Sequence, residues 1–507
     1  MKHLGAATEK HWSLLVFIIA VPLYLINIDY GDLWNDEAFT KQLITFSLPD
    51  MIRLVAGDFH PPLYFLGLKA FVAVAGSNAV TLRVFSVIGV LATLLLICTM
   101  GKRVLGRNAA LLFCLMIMTV PMVATYSHTA RMYTWAAFAV TGVFLSSCAL
   151  IRAPSNRDLL WLGFFTLLGA YLHYYCILAA FSANAYVFLG LVVKKNRLWR
   201  RHLIVSAVVL SLYLPWLLTL FQQAARVKAD FYVPEVSALW VALCYLVPFW
   251  HNFYPATVSI PLTLMHAAIT VASVIIIVRR KESESKPALF VSLVIFNGTI
   301  VLAMVISLLI RPILLYRYIA TVMTMVAVPP ALFFVELRKR TVRRVLFAAL
   351  LGVGIYASFD AGKDSIGAYQ AAATFLKQHH PNIKKVVHIV EVTASTFTEY
   401  NAMGPWEQLW LDNENTASYT NMKVFRGLKT VRSLQEVLEK DERFCLVDFP
   451  AVELNRKNFD LVMRQSQKIG VDTISDDKVA APAYRPKILL YQLQYKGEQG
   501  AGKDPKD

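Results

Sequence analysis

The stretch WSLLVFIIAVPLYLINIDYGDLWNDEAF, residues 12–39, decides the fold class of this chain. Residues 12–28 are apolar enough to span a bilayer, which takes roughly 20 predominantly apolar residues in a helix. Two adjacent carboxylates, Asp36 and Glu37, follow at the boundary between membrane and water. Because a carboxylate is costly to desolvate, an acidic pair beside a membrane span needs a structural or a chemical reason.

The rest of the chain continues this apolar character. Of its 507 residues 57% are hydrophobic, and the mean hydropathy is +0.52; polytopic membrane proteins have such values and soluble domains do not. The formal net charge is +17, but residues 360–507 hold 20 basic and 20 acidic residues, so the excess lies in residues 1–359. This distribution argues against a nucleic-acid partner and indicates cytoplasmic loops enriched in Lys and Arg.

The position of the basic residues predicts the topology. If the apolar run 61–76 lies along the membrane surface instead of crossing it, the inward segments carry 21 of the 30 basic residues of the membrane part. We therefore predict a polytopic α-helical membrane protein with about eleven transmembrane helices, a cytoplasmic N-terminus and a C-terminal domain outside the cytoplasm. The predicted spans are residues 12–28, 79–100, 109–126, 132–151, 159–174, 176–193, 203–221, 258–278, 287–309, 313–335 and 343–359.

Two domains are predicted from the change in composition. Residues 1–359 form the transmembrane domain, whose outer loop 29–78 carries the acidic pair and an apolar helix after a Pro-Pro step. Residues 360–507 form an extracytoplasmic α/β domain, because short helical and strand patterns alternate there. The predicted helices of this domain are residues 365–379 and 431–440, and its predicted strands are residues 384–390, 443–449 and 487–495.

The acidic pair is the first of four polar groups on the predicted outer face. Acids favour the first turn of a helix, so a helix start or a solvated loop explains the pair without any chemistry. Trp34 and Phe39 flank it, however, and indicate a loop that stays at the interface, where a carboxylate could serve as a catalytic base. Asp36 and Glu37 are the predicted catalytic residues, and the same two side chains are the candidates for a divalent metal, although two acids alone make a thin metal site.

The second group is DFHPPLYF, residues 58–65. Pro61 and Pro62 restrict the backbone and favour an extended or turn conformation at His60. A structural turn before a helix explains this pattern. The functional interpretation is a rigid elbow that presents Asp58 and His60 to a substrate.

The third group combines an arginine with aromatic residues at two outward junctions between spans. YSHTARMYTW, residues 126–135, contains Arg131 and Tyr133. Arginine forms bidentate contacts with phosphate oxygens, although an arginine at a membrane edge also extends to the interface without binding anything. LHYYC, residues 172–176, adds His173 and Tyr174, which an aromatic belt at the interface also explains.

The fourth group is RPILLYRY, residues 311–318, at the outward end of a tight hairpin. Arg311 and Arg317 run against the expected depletion of basic residues on that face. An anionic lipid headgroup would account for them, with Tyr318 beside it.

The order of these pieces resembles the GT-C membrane glycosyltransferases, in particular the bacterial relatives of the protein O-mannosyltransferases and of lipid A aminoarabinose transferase. The matching motifs are WNDEA (34–38), HPPLYF (60–65), TLR (81–83), GKRVLGR (101–107), TARMY (129–133), HYY (173–175) and YRY (316–318). Members of the aminoarabinose branch have a lysine before the Pro pair, where this chain has His60.

The resemblance implies transfer of a sugar from a polyprenyl-phosphate donor to a lipid, glycan or protein acceptor. The reaction would take place on the outer face of a bacterial cytoplasmic membrane, among membrane lipids. The resemblance also implies that Asp36 activates the acceptor hydroxyl and that the sugar is inverted.

The residues themselves suit this chemistry. The leaving polyprenyl phosphate gains negative charge, which His60, Arg131 or Arg317 would stabilise more strongly in the transition state than in the ground state. A single base suits a one-step displacement, while Glu37 keeps a two-step retaining route open. The alternative function is a transporter or flippase for a lipid-linked sugar, which predicts ionisable groups at the membrane midplane and paired repeats. A membrane scaffold that presents the outer domain is a third interpretation.

Overall fold

The computed structural model describes most of the chain. The described residues are 2–29, 31–230, 235–249, 256–280, 282–361, 369–389, 391–399, 406–411, 424–425, 427–448, 456–475 and 487–496. They form two compact units, of which the first comprises residues 1–28 and 59–362 and the second residues 29–58 and 363–507. In this division the first unit ends at residue 362, and residues 29–58 group with the C-terminal residues.

Helices account for most of the described residues. In chain order they are α1 Lys2–Leu25, α2 Asn35–Leu43, α3 Leu48–Gly57, α4 Leu63–Ala75, α5 Ala79–Leu96, α6 Lys102–Leu105, α7 Arg107–Ile117, α8 Pro121–Ser127, α9 Tyr133–Arg152, α10 Asn156–Leu172, α11 Tyr174–Val193, α12 Leu198–Asp230, α13 Ala238–Leu246, α14 Ala256–Arg279, α15 Lys286–Leu309, α16 Val328–Glu336, α17 Arg340–Ala361, α18 Tyr369–His379, α19 Glu391–Glu399 and α20 Arg456–Arg464. A π-turn, Ile97–Gly101, joins α5 to α6, and a 3₁₀ helix, Tyr316–Ala327, leads into α16.

The helices of the first unit are long and apolar, which confirms the polytopic α-helical membrane class. Within the described residues, eight helices are long and apolar enough to cross a membrane. The pair α7 and α8 adds a ninth if it counts as one span; it bends by 68°, where Pro121 starts the second helix because proline cannot continue the first. Helical structure is present in each of the eleven predicted spans, but α10 and the apolar part of α1 are too short for this criterion, so the number eleven stays a prediction.

Close contact between α5 and α9 fixes the loop that joins α8 to α9. A Cβ atom on Gly89 would lie 2.7 Å from Thr134 Oγ1, so only glycine lets the two helices approach this closely. Small residues and interhelical hydrogen bonds hold membrane helices together where the hydrophobic effect cannot. One such bond runs from Ser86 Oγ to the carbonyl oxygen of Thr129, 2.7 Å away, and anchors the loop that carries Arg131.

A second anchor holds the tight connection between α15 and the 3₁₀ helix. Ser307 Oγ accepts hydrogen bonds from the backbone N–H groups of Ile313 and Leu314, both 2.9 Å away. The Tyr175 hydroxyl donates to the carbonyl oxygen of Ile313 over 2.7 Å. Hydrogen bonds from α11 and α15 therefore fix the backbone between Arg311 and Arg317.

The described residues of the second unit include a sheet of six strands, which confirms the C-terminal α/β domain. Its strands are β1 Lys385–His388, β2 Glu407–Leu411, β3 Leu428–Val431, β4 Arg443–Asp448, β5 Ser466–Ser475 and β6 Lys487–Tyr495. Their order is β3-β2-β1-β4-β6-β5; the first four are parallel and the last two pair antiparallel. Parallel strands are covered on both faces, and β4 is accordingly buried from Phe444 to Asp448.

The predicted helix 431–440 is wrong. Val431 ends β3, where it pairs with Leu411, and a short 3₁₀ turn, Leu434–Glu436, follows. Val431, Leu434 and Leu438 are all buried, and their spacing is typical of a helix face. A strand end followed by a turn buries the same side chains, so the pattern alone did not distinguish the two.

Candidate active site

His60 and Arg131 form the centre of the candidate site in the first unit. Arg131 Nη2 lies 3.1 Å from His60 Nε2, and both side chains are buried. A guanidinium group has no acceptor, so it donates and the imidazole Nε2 accepts. The neutral ring of His60 therefore carries its proton on Nδ1. His60 precedes α4 at the Pro-Pro step, and Arg131 precedes α9, so two separate chain segments build this pair.

His173 is the second histidine of the site. Its ring centroid lies 5.8 Å from that of His60. The side chain caps α11, because His173 Nδ1 accepts a hydrogen bond from the backbone N–H of Tyr175, 3.1 Å away. The neutral ring then carries its proton on Nε2, and this atom is buried without a hydrogen-bond partner among the described residues. A buried donor of this kind is costly unless a ligand accepts from it.

Aromatic rings and a further arginine surround the histidines. The His173 ring packs 5.6 Å from Tyr133 and 5.1 Å from Tyr318. The guanidinium carbon of Arg317 lies 5.5 Å from the centre of the Tyr318 ring. His60, Arg131, Tyr133, His173, Arg317 and Tyr318, which the sequence analysis selected from four separate motifs, thus form one contiguous cluster.

A cavity of about 440 Å³ opens beside this cluster. Its polar lining residues are His60, His173, Tyr174, Tyr175, Gln223, Arg311 and Tyr318. Most of the remaining lining is aliphatic or aromatic, from α11, α12 and α15. Among the described residues that line it there is no carboxylate. The cavity therefore offers N–H donors and an arginine at one part of its surface and apolar walls elsewhere.

Gln223 also lines this cavity, although it was not among the residues predicted from the sequence. The Tyr174 hydroxyl donates to Gln223 Oε1, and Trp216 Nε1 donates to the Tyr174 hydroxyl over 3.0 Å. Gln223 is 2% exposed. A buried amide near the end of the apolar helix α12 was the signal that could have identified it, because a polar side chain in such a segment needs partners.

The predicted acids lie in the second unit and differ from each other. Asp36 and Glu37 occupy the first turn of α2, as a helix start predicts. Glu37 is 2% exposed, and its Oε2 accepts a hydrogen bond from the backbone N–H of Trp34, 3.3 Å away. It thereby satisfies a backbone group at the helix start. Asp36 is partly exposed. Asp58 ends α3 and is buried at 4% exposure.

The acidic pair does not fit a resident divalent cation. Within the part of the chain that the structure describes, no three His, Cys, Asp or Glu side chains come together closely enough to hold a metal ion. One of the two acids, Glu37, is also engaged in capping α2. Divalent cations such as Ca²⁺ and Mg²⁺ prefer six or more oxygen ligands, of which this pair supplies few.

The chain matches one known protein family over part of its length. Residues 59–218 match the family described as dolichyl-phosphate-mannose-protein mannosyltransferase. The matched segment contains His60, Arg131, Tyr133, His173 and Tyr174. No protein of curated function matches the chain in sequence.

Two solved structures share the fold over almost the whole chain. ArnT from Cupriavidus metallidurans bound to undecaprenyl phosphate superposes with a TM-score of 0.58 at 12% identity, covering 97% of this chain and 99% of that chain. Its apo state gives a TM-score of 0.60 at 12% identity, covering 98% and 100%. At this identity the likeness establishes the fold, which agrees with the resemblance seen in the sequence motifs. The chain is an integral membrane protein with the GT-C fold of the membrane glycosyltransferases.

Proposed function

We propose that this protein transfers a sugar from a polyprenyl-phosphate donor to a lipid, glycan or protein acceptor on the outer face of a bacterial inner membrane. The observation that carries the proposal is the cavity of about 440 Å³, which combines apolar walls with two histidines and Arg311 and has no carboxylate in its described lining. A polyprenyl phosphate has the same two parts, an apolar chain and an anionic headgroup.

The geometry suits a phosphate better than a neutral headgroup. His173 presents a buried Nε2–H that has no hydrogen-bond partner among the described residues. Arg131 holds the opposite histidine in the tautomer with its proton on Nδ1. Two imidazole N–H groups and nearby guanidinium groups match an acceptor with several oxygens, since hydrogen bonds to ionised groups are about twice as strong as neutral ones.

The same groups favour the transition state of sugar transfer. When the bond between the anomeric carbon and the phosphate oxygen breaks, the polyprenyl phosphate leaves with one more negative charge than the diester carried. Donors fixed before the reaction stabilise this added charge without reorganising, which accelerates the chemical step. We assign four residues to the donor phosphate: Arg131, His60, His173 and Arg311. Tyr318, which packs against the His173 ring, and Arg317, which packs against Tyr318, are assigned to the same site.

Asp36 is the base that we assign to the acceptor hydroxyl. Its carboxylate takes the proton as the hydroxyl oxygen attacks the anomeric carbon from the side opposite the phosphate, so the configuration is inverted. Asp36 is partly exposed in the first turn of α2. Glu37, in contrast, caps the helix that carries Asp36, which leaves a single base and favours one-step displacement over the two-carboxylate retaining route.

The comparisons support the class of donor. The ArnT structure is described with bound undecaprenyl phosphate, and the matched family is named for dolichyl-phosphate-mannose. Both molecules are polyprenyl phosphates or their sugar derivatives. The family match covers the segment that supplies most of the proposed phosphate ligands.

The competing function is transport of a lipid-linked sugar across the membrane. The test incubates membranes that contain or lack the protein with a polyprenyl-phosphate sugar labelled in the sugar. Transfer predicts that the label appears in a new covalent product and that unlabelled polyprenyl phosphate is released. Recovery of all label in unchanged donor, on either side of the membrane, would contradict the proposal and favour transport. A reporter enzyme fused after Arg103 checks the orientation and should show cytoplasmic activity.

A further inference from the structure

Two hydrogen bonds join residues 32–35, which lead into the first turn of α2 with Asp36, to helices of the C-terminal residues. Ser395 Oγ donates a hydrogen bond of 2.5 Å to Asn35 Oδ1. Ser395 lies in the middle of α19, the helix between β1 and β2, and Asn35 immediately precedes Asp36. The two residues are 360 positions apart in the chain, so this bond joins the start of α2 to the C-terminal sheet domain.

A second hydrogen bond is made by Asp32, three residues before Asn35. Asp32 Oδ2 accepts a hydrogen bond of 2.8 Å from the backbone N–H of Gln370, in the first turn of α18. The first-turn N–H groups of a helix have no partner within the helix, and a carboxylate is a favourable acceptor for them. Asp32 therefore serves as the cap of a helix in the distant domain.

The helix α2 also packs against a helix of the C-terminal residues. The helix α2 buries one face, on which Ala38, Phe39, Thr40 and Leu43 are at most 7% exposed, and it packs against α19. The residues of α19 from Thr393 to Phe397 are fully buried. Asp36 itself stays partly exposed, while Thr40 Oγ1 donates to its carbonyl oxygen over 2.7 Å. The hydrogen bond from Thr40 and the packing of α2 thus fix the backbone of Asp36.

We infer that the C-terminal domain positions Asp36, and that Asp32, Asn35 and Ser395 are the positioning residues. The inference rests on the proposed function, in which Asp36 is the base. A misplacement of about 1 Å costs on the order of 100-fold in rate when a reaction depends on near-attack geometry. A loop without such anchors moves on the nanosecond to microsecond timescale, and two hydrogen bonds with a packed helix face remove that freedom.

Two sets of variants test the inference in the full-length protein. In Ser395→Ala the anchor beside Asp36 is lost, and kcat should fall by about 10- to 100-fold. The KM for the donor should stay within about twofold, since the residues assigned to the donor phosphate belong to the other unit. Asp32→Ala should lower kcat in the same way, whereas Asp32→Asn should retain activity because its amide oxygen still accepts from Gln370.

Matched controls separate positioning from stability. Lys496→Ala removes the ion pair of 2.7 Å with Asp441, and Asp472→Asn disturbs the pair of 2.9 Å between Asp472 on β5 and His380, which follows α18. Both controls lie in the same domain, outside the proposed site, and should leave kcat unchanged at equal amounts of folded protein. The apparent pKa of the base in the kcat–pH profile should be the same in Ser395→Ala as in the wild type.

The inference is overturned if Ser395→Ala and Asp32→Ala keep the wild-type kcat, or if the controls lower kcat as much at the same thermal stability. It is also overturned if Asp32→Asn loses as much activity as Asp32→Ala. Full activity of Asp36→Asn would instead contradict the role of Asp36, which is part of the proposed function, so the two failures are distinguishable.

Discussion

The two ring nitrogens of His173 have different tasks, and one substitution separates them. His173 Nδ1 caps α11 by accepting from the backbone N–H of Tyr175 at 3.1 Å, while Nε2 is buried without a hydrogen-bond partner among the described residues and is the atom that we assign to the donor phosphate. In His173→Asn the shorter side chain still accepts from that N–H, since asparagine is among the best helix caps. The Nε2–H donor is lost. In His173→Phe both the cap and the donor are lost.

The expected losses of kcat/KM and of stability follow from the hydrogen bond that we assign to Nε2 and from the one that Nδ1 makes. A hydrogen bond to a charged acceptor contributes about 1.5–3 kcal/mol, which corresponds to a loss of roughly 10- to 150-fold in kcat/KM for the donor. Both variants should show this loss. Removal of a cap costs about 0.5–2 kcal/mol of stability, and this loss should appear in His173→Phe alone.

Initial rates at varied concentrations of the polyprenyl-phosphate sugar measure the first effect, and thermal unfolding in detergent measures the second. The acceptor concentration is varied in parallel, and its KM should not change. A wild-type kcat/KM for the donor in His173→Asn would refute the role of Nε2. Equal destabilisation of the two variants would refute the role of Nδ1 as a cap.

Three further predictions concern other residues. Glu37→Gln keeps an oxygen that accepts from the helix start, so transfer should stay within about threefold of the wild type, and loss of transfer in the rate assay would make Glu37 more than a cap. Burial lowers the pKa of His388 to about 3. The unfolded chain therefore binds a proton below about pH 6.5 that the folded domain does not bind. Stability should fall as the pH is lowered, by about 2 kcal/mol between pH 7 and pH 5; thermal unfolding at the two pH values measures the shift, which His388→Phe should remove. Gly89→Ala drives a methyl group into Thr134 and should destabilise the protein by about 1–3 kcal/mol. Gly190→Ala, whose Cβ meets nothing within 4 Å, should unfold at or slightly above the wild-type temperature.

The spans and the candidate phosphate site were predictable because their signals are local. A membrane helix satisfies its own backbone, so its apolar run is continuous in the sequence. His60, Arg131 and His173 were predicted one motif at a time, each at the outward end of a predicted span. Their common side of the membrane was enough to expect that they meet. Gln223 had a weaker signal, an amide near the end of an apolar helix, and its partner, the hydroxyl of Tyr174 on another helix, cannot be read from the sequence.

The organisation of the second unit was harder to predict because its determinants are distant in the chain. Residues 29–58 follow the first span directly, which suggested that they belong to the membrane domain. Their partners lie more than 330 positions away, as the bond between Asp32 and Gln370 shows. The strand β5 was missed for a different reason. Most of its described residues are partly or fully exposed, so it lacks the apolar run that identified β4.

Residue type alone did not distinguish the roles of the two acids at the start of α2. Asp36 and Glu37 are adjacent acids, and the sequence offers the same argument for both. The structure distinguishes them by burial and by one hydrogen bond, that from the backbone of Trp34 to Glu37. The catalytic role therefore remains proposed for Asp36, and we propose that Glu37 acts as the cap of α2.

The most direct test of the account compares the wild type with Asp36→Asn in purified form, with a polyprenyl-phosphate sugar labelled in the sugar and a cell-envelope extract as acceptor. Asparagine is similar in size and cannot take the acceptor proton at neutral pH. The account predicts that the variant folds, binds the donor with unchanged affinity and forms no labelled product above background. Product formation by Asp36→Asn at a rate near that of the wild type would contradict it.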